Sequence, residues 1–369
     1  MIHEHQARQP YQVPNAVHAL SQEHIGSRGY FYVGGAFAER DGTRDYLHGQ
    51  MYVEVLVPKT VTRPYPLVLF HGGGQTGLNW MATPDGRPGW ADHFVSQGYV
   101  VYVPDVPARG RSPYHPAVDG PLTYMTADLT RTYFASDQGP WPTARLHDQW
   151  PASGQTDQWG YDAHYQALCA AQVEYLPPAQ QQALVRQAGA ELLRTIGPSV
   201  LVTHSMAGPY GWILADTCPD LVRGIVALEP SGPPFAGISI SSGRQRPYGI
   251  ADIPLTYDPP ISLPHWRRPE EGPLTPPPLD DIDAWLQPGP VGRLTHLSQV
   301  PVLLLTAEAS YHAPFDHLTA AFLRQAGVVV EHCLLAKRDI HGNGHMMMME
   351  LNNLEIAALV QDWIQSHCR

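Results

Sequence analysis

At 369 residues and 43% hydrophobic content the chain can bury a large core, and α/β folds of this size often form one domain. A formal net charge of −11 and a pI near 5.9 argue against an extended basic surface for nucleic acid. No run approaches the roughly 18 apolar residues of a membrane span, and Met1-Ile2-His3-Glu4-His5 lacks the basic start of a signal peptide, so the default expectation is cytoplasmic, with secretion open if a leader has been trimmed.

In chain order, Ser27–Val33 and Gln50–Val57 read as leading strands with an antiparallel start. Leu67–Phe70, Tyr99–Val103, Val200–Thr203, Gly224–Leu228, Val302–Thr306 and Val328–Leu335 are short aliphatic runs that fit buried central strands. Asp92–Gln97, Met206–Thr217 and Pro314–Gln325 read as helices between them. In the last helix Ile356, Leu359, Val360, Trp363 and Ile364 form one apolar stripe. This alternation predicts a mostly parallel sheet covered on both faces. The expected core is 26–112, 181–230 and 300–369. Two stretches break the rhythm: 113–180, with Trp141, Trp150, Trp159, Tyr161 and Tyr165, and the proline-rich 231–299. Both are expected to be caps within a single domain spanning 1–369. Cys169, Cys218, Cys333 and Cys368 form no CxxC pair, so free thiols are expected.

Three segments carry candidate chemistry. Val200 to Gly208 reads as strand, tight turn and helix, a geometry that lifts the hydroxyl of Ser205 above a sheet edge. Thr203 and Ala207 relax the G-x-S-x-G pattern, and a Ser after a strand is otherwise an N-cap. His71-Gly72-Gly73-Gly74 follows a strand, where glycines leave backbone N–H groups open to an anionic oxygen. It lacks the Lys-Ser/Thr ending of a phosphate loop. This glycine run ahead of a strand–Ser–helix turn is the order expected for acyl transfer, with the N–H groups of Gly73 and Met206 as oxyanion donors and Gly72 the alternative.

Asp339 to His345 lies between the last strand and the last helix. Gly342 and Gly344 make a helical His341/His345 metal pair improbable, so no metal site is expected. His345, placed just before a helix start at Met346–Met349, is the candidate base and His341 the reserve. A carboxylate must orient it. Glu229 and Glu308, at strand ends, and Asp316 are the candidates, with Glu229 favoured. Arg109 and Arg111 are expected to brace a loop rather than to meet substrate.

With these residues placed, the chain resembles the α/β-hydrolase superfamily, and more narrowly bacterial serine carboxylesterases whose catalytic Glu follows strand six. The matching pieces are His71-Gly72 with Thr76-Gly77, Thr83-Pro84-Asp85-Gly86-Arg87 with Gly89-Trp90, and Gly110-Arg111-Ser112. Further on come His204-Ser205 with Gly208, Glu229-Pro230, His341-Gly342-Asn343 with His345-Met346-Met347-Met348, and Asn352-Asn353. Gly73-Gly74 departs from that branch, and 231–299 is long for it. The resemblance implies a Ser205–His345–Glu229 triad acting on a carboxylic ester through an acyl-enzyme, without metal or organic cofactor. The cap aromatics suggest an apolar or aromatic small-molecule ester. A lactonase or amidase with the same triad is the alternative, as is a ligand-binding protein on that scaffold. A homodimer is a further expectation.

Overall fold

Two 16-residue strands open the sheet, β1 (Ile25–Arg40) and β2 (Thr43–Pro58), paired antiparallel. The computed structural model describes residues 19–40, 42–158, 162–171, 173–240, 243–267 and 275–368. The first residues, and the cap aromatics Trp159 and Tyr161, lie outside these. Both strands outrun the sequence expectation. Gly34 and Gly35 at positive φ interrupt the apolar pattern, and Tyr30, Tyr32 and Phe37 face outward along the ribbon.

Six shorter strands complete the sheet: β3 (Leu67–Phe70), β4 (Val101–Asp105), β5 (Ser199–His204), β6 (Val222–Leu228), β7 (Val302–Thr306) and β8 (Val330–Leu334). The order is β1-β2-β4-β3-β5-β6-β7-β8, and all pairings from β4 onward are parallel. Alternate residues feed two separate cores. Leu67 and Leu69 of β3, Val200 and Val202 of β5, and Leu303 and Leu305 of β7 join one. Val68, Phe70, Leu201, Val302 and Leu304 join the other. A strand buried on both faces has no polar alternation to show, which is why these runs read as continuous apolar stretches.

Five helices cover the faces: α1 (Trp90–Ser96), α2 (Pro178–Ile196), α3 (Gly208–Thr217), α4 (Asp316–Gln325) and α5 (Asn353–His367). Trp90 and Phe94 of α1 pack with Ile356, Val360 and Trp363 of α5 in the first core. Val185 and Leu192 of α2, Trp212 and Leu214 of α3 and Phe322 of α4 fill the second. The longest helix, α2, went unread in the sequence. Its inner face spreads Val185, Leu192 and Leu193 among Gln181, Gln182, Ala188 and Gly189, so large apolar residues are sparse along the stripe. A Cβ at Gly189 would lie 2.8 Å from Leu214, so the small residue sets how closely α2 crosses α3.

The expected helix start at Met346–Met349 is corrected. These residues form buried turns, and α5 begins at Asn353. All four cysteines are free.

At the carboxyl end of β4, the buried Asp105 accepts from Gly77 N (2.7 Å), Arg111 N (2.9 Å) and Arg111 Nε (2.7 Å). Arg111 also reaches Glu54 on β2 at 2.5 Å. Burial pushes the Asp105 carboxyl up, but Arg111 and the two N–H groups outweigh it and hold it below the usual range. Its stabilisation is therefore present above the unfolded carboxylate value and lost as pH falls through the lower folded one. Asp105→Asn should cost about 2 kcal/mol at neutral pH in urea unfolding. The gap to wild type should close only as the pH drops below about 4.

Candidate active site

The ends of β3, β5, β6, β7 and β8 meet at one edge of the sheet. Ser205 follows β5 directly at φ 55°, in the left-handed region, a conformation that costs about 1–2 kcal/mol for a residue with a Cβ. The turn is held by close approach: a Cβ at Gly208 would lie 2.3 Å from Pro230 Cβ. Ser231 N donates to Ser205 O at 2.9 Å, tying this turn to the one after β6.

Glu229 follows β6 and is also at positive φ, 44°. The turn aims its carboxylate across the end of β7, where Ala307 N donates to Oε1 (2.8 Å) and Ser310 Oγ to Oε2 (2.6 Å). His345 Nδ1 lies 2.5 Å from the same Oε2, and both side chains are fully buried. Of the three candidate acids, only Glu229 meets His345. Asp316 pairs with His312 Nδ1 at 2.8 Å and Thr306 Oγ1 at 2.8 Å. The reserves pair with each other: His341 Nδ1 is 3.1 Å from Glu308 Oε2, with the His341 side chain 59% exposed.

The loop carrying His345 is clamped by residues that the resemblance singled out. Asn343 Nδ2 donates to Glu350 (2.7 Å) and Asn352 (2.6 Å), and Gly344 N donates to Glu350 at 2.9 Å. Arg87, held by Asp85, donates to the carbonyls of Glu350 and Leu351 and to Asn353 Oδ1. The Trp90 indole donates to Asn353 O at 2.9 Å. His204 Nε2 lies 3.0 Å from His345 O, fixing the backbone from the side of β5.

The glycine loop after β3 stands against Ser205. A Cβ at Gly72 would lie 2.7 Å from His204 Nδ1 and 3.1 Å from Ser205 Cβ, and one at Gly73 would lie 2.6 Å from Met206 Cε. His71 Nε2 accepts from Val106 N (3.2 Å), leaving Nδ1–H for Gly72 O (3.0 Å). Arg109 donates to the carbonyls of Gly72 (3.3 Å) and Gln75 (3.2 Å). These bonds tie the loop's carbonyls back. Arg109 and Arg111 thus brace structure, as expected.

Gly73, Ser205 and Met206 line one cavity of about 70 Å³, with Met125, Phe134, Tyr175, Tyr311, His312 and Phe315 around it. Gly72 does not line it. Sequence reasoning missed Ser310, Tyr311 and His312. The Tyr311 hydroxyl lies 3.4 Å from His345 Nε2, and Tyr311 lines the cavity with Ser205. Among the described residues no direct hydrogen bond joins Ser205 to His345. The His312 ring stacks on His345 at 4.9 Å with planes 7° apart. The only signal in the sequence was three consecutive polar or aromatic residues just past β7.

Burial pushes the Glu229 carboxyl up to about 8 against the pull of His312, Ser310 and Ala307 N–H. Burial, with His204 and His312 alongside, holds the His345 imidazole well below its usual 6.5. A metal-type grouping exists, since ligand atoms of Glu229, His312 and His345 lie within 4.8 Å of one another. Yet Nδ1 of each histidine already faces a carboxylate.

The family model for the alpha/beta hydrolase fold matches residues 65–244. A probable secreted lipase, phiG, of a fungal species (strain ATCC 74256) is 41% identical over 336 residues, covering 91% of this chain and 89% of the relative. The chain belongs to the α/β-hydrolase superfamily. A structure described as that of a novel bacterial esterase shares the fold at a TM-score of 0.58 and 23% identity, covering 97% of this chain and all of that one. The sheet order and helix placement are those of this superfamily, with α1 and α5 on one face and α2, α3 and α4 on the other.

Ser310→Ala would leave the buried Glu229 carboxylate one donor short. It should lower stability by about 1–3 kcal/mol in urea unfolding, while Ser310→Thr, which keeps the hydroxyl, should recover part of that loss.

Proposed function

We propose that this α/β-hydrolase is a serine carboxylic-ester hydrolase with Ser205 as nucleophile, His345 as general base and Glu229 as the orienting acid. The observation that carries this reading is the buried Glu229–His345 hydrogen bond at 2.5 Å, beside a serine held at positive φ. The fungal relative, a probable secreted lipase, supports ester chemistry.

An ester carbonyl entering the cavity meets the Ser205 hydroxyl. That hydroxyl turns to Nε2 of His345, a contact that can be absent from a resting site and form with substrate bound. His345 takes the proton as Ser205 Oγ bonds to the carbonyl carbon, and Glu229 stabilises the imidazolium through Nδ1–H. The N–H groups of Gly73 and Met206 receive the oxyanion. His345 then gives the proton to the leaving alcohol. Water, deprotonated by the same imidazole, cleaves the acyl-enzyme. The strongly lowered proton affinity of His345 keeps it a free base in mildly acidic solution. Segments from 113–180 and 231–299 serve as the cover, supplying Met125 and Phe134 from one and Ile240 from the other to the cavity wall.

The cytoplasmic default finds no support in the comparisons, because the relative is a probable secreted lipase. Among the described residues no helix is long and apolar enough to cross a membrane.

A fluorophosphonate probe should place a single adduct on Ser205 by peptide mapping, and Ser205→Ala should abolish both adduct and aryl-ester turnover. Glu229→Gln should lower kcat by about 10³–10⁴, the scale of a triad residue, while Glu308→Gln should stay within two-fold of wild type on the order expected for an uninvolved surface group. Retained turnover in Ser205→Ala would refute the mechanism.

Protonating His345 removes the base, and its proton affinity is lowered, so kcat/KM should hold as pH falls through 6.5. The acid limb of the profile should appear below that value. It will report an apparent constant of the Glu229–His345 pair rather than of either residue.

A further inference from the structure

Arg246 lies in the segment that follows β6 and lines the cavity around Ser205. It is only 1% exposed. Its Nη1 donates to Pro233 O at 3.1 Å, and its buried Nε has no partner. Among the described residues no carboxylate forms an ion pair with it. The nearby Asp252 is taken by Arg244, which donates to it through Nε at 3.1 Å and also through Nη2. Arg109, equally buried, also has an unpartnered Nε, but both of its Nη groups are engaged, on Gly72 O, Gln75 O and Gln181, and it stacks over Tyr175.

A buried guanidinium without a paired carboxylate is strongly disfavoured, because nothing offsets the loss of its hydration. Guanidinium stays charged in proteins even under such pressure. Burial and the neighbouring Arg244 lower the proton affinity of Arg246 to about 9, still above neutral pH. Tyr311 and His312, which pack on His345, line the same cavity as Arg246. The rest of that wall is largely apolar, with Met125, Phe134, Ile240 and Phe315. A fixed cation in an apolar wall next to a nucleophile selects for an anion, and its planar fork of donors suits a carboxylate.

We infer that the substrate is an ester bearing a second, free carboxylate, which Arg246 binds while Ser205 attacks the ester carbonyl. This rests on the ester-hydrolase reading above and narrows its substrate class. The expected apolar or aromatic substrate then keeps its apolar body and gains one anionic group. Arg246 is here a specificity-determining residue. Its bond to the carboxylate changes partners with solvent and enters no covalent step.

The test compares two matched pairs of esters at pH 7. In one, the acyl side carries the charge: the mono-4-nitrophenyl ester of glutaric acid against 4-nitrophenyl pentanoate. In the other, the alcohol side does: the butyrate ester of 4-hydroxybenzoate against phenyl butyrate. Wild type should prefer the charged member of at least one pair by about ten-fold or more in kcat/KM, the size of a charge-assisted contact. In Arg246→Gln that ratio should fall to about one or below, whatever happens to the common rate, through KM more than kcat. Arg246→Lys should restore part of it. If either variant fails to fold, the wild-type ratios decide alone, and glutarate or 4-hydroxybenzoate should inhibit wild type competitively. A wild-type ratio of one or less on both pairs, with neutral esters cleaved and Ser205 labelled by the probe, would overturn the carboxylate assignment and leave the ester-hydrolase reading standing. No cleavage of any ester and no adduct would overturn both.

Discussion

The site depends on two left-handed turns on neighbouring parallel strands. Ser205 closes β5 and Glu229 closes β6, each at a φ that a side chain resists. Each turn is tied to the end of a neighbouring strand. Ser231 N bonds to Ser205 O, and Glu229 N bonds to Leu305 O on β7. The strain, about 1–3 kcal/mol for each such residue, persists because the surrounding sheet over-determines it. The pairing of β5, β6 and β7 is therefore what sets where the hydroxyl and the carboxylate point. Gly208 against Pro230 is the packing counterpart, since any side chain at 208 would push the two turns apart.

Once the carboxylate is aimed, the histidines arrange themselves in depth. His345 sits between His204, whose ring centroid is 4.4 Å away, and His312 at 4.9 Å. Three imidazoles this close cannot all carry charge. Burial drives His204 to about 3 and His312 to about 4. Both flanking rings are thus neutral spacers that help keep His345 neutral, while Glu229 gives it one strong acceptor. Asp316 does the same for His312 from behind. This layering explains why a grouping with metal-ligand character is organised instead as two carboxylate–imidazole couples.

Much of this was legible in the sequence, for a physical reason. Strands buried on both faces appear as short aliphatic runs between turn residues, and β3 and β7 fall where those runs lie. Gly72, Gly73 and Gly208 mark backbone that must approach something closely, and contacts below 3 Å for an added Cβ show what that is. What stayed hidden depended on contacts between distant segments. Ser310 matters only because β7 lies beside β6, and α2 dilutes its buried Val185, Leu192 and Leu193 with glutamines and small residues. The Met346–Met349 run has good helix formers, but Asn343, Glu350 and Asn352 bind one another and hold a turn there instead. Local propensity lost to a polar network.

The arginines around the site separate structural charge from chemical charge. Arg111 bridges Asp105 and Glu54, and Arg109 binds the carbonyls that orient the glycine loop. The charge of Arg111 is offset by two carboxylates, and that of Arg109 is dispersed over carbonyls, Gln181 and the Tyr175 ring. Arg246 comes from a proline-rich segment with no periodic pattern, the kind of sequence that tolerates change while the sheet does not. Its one side-chain hydrogen bond among the described residues, to Pro233 O, fixes its place without neutralising it. The division follows the fold: the sheet edge holds Ser205, Glu229 and His345, and the segment after β6 carries the buried charge to which the proposal above assigns the carboxylate of the substrate.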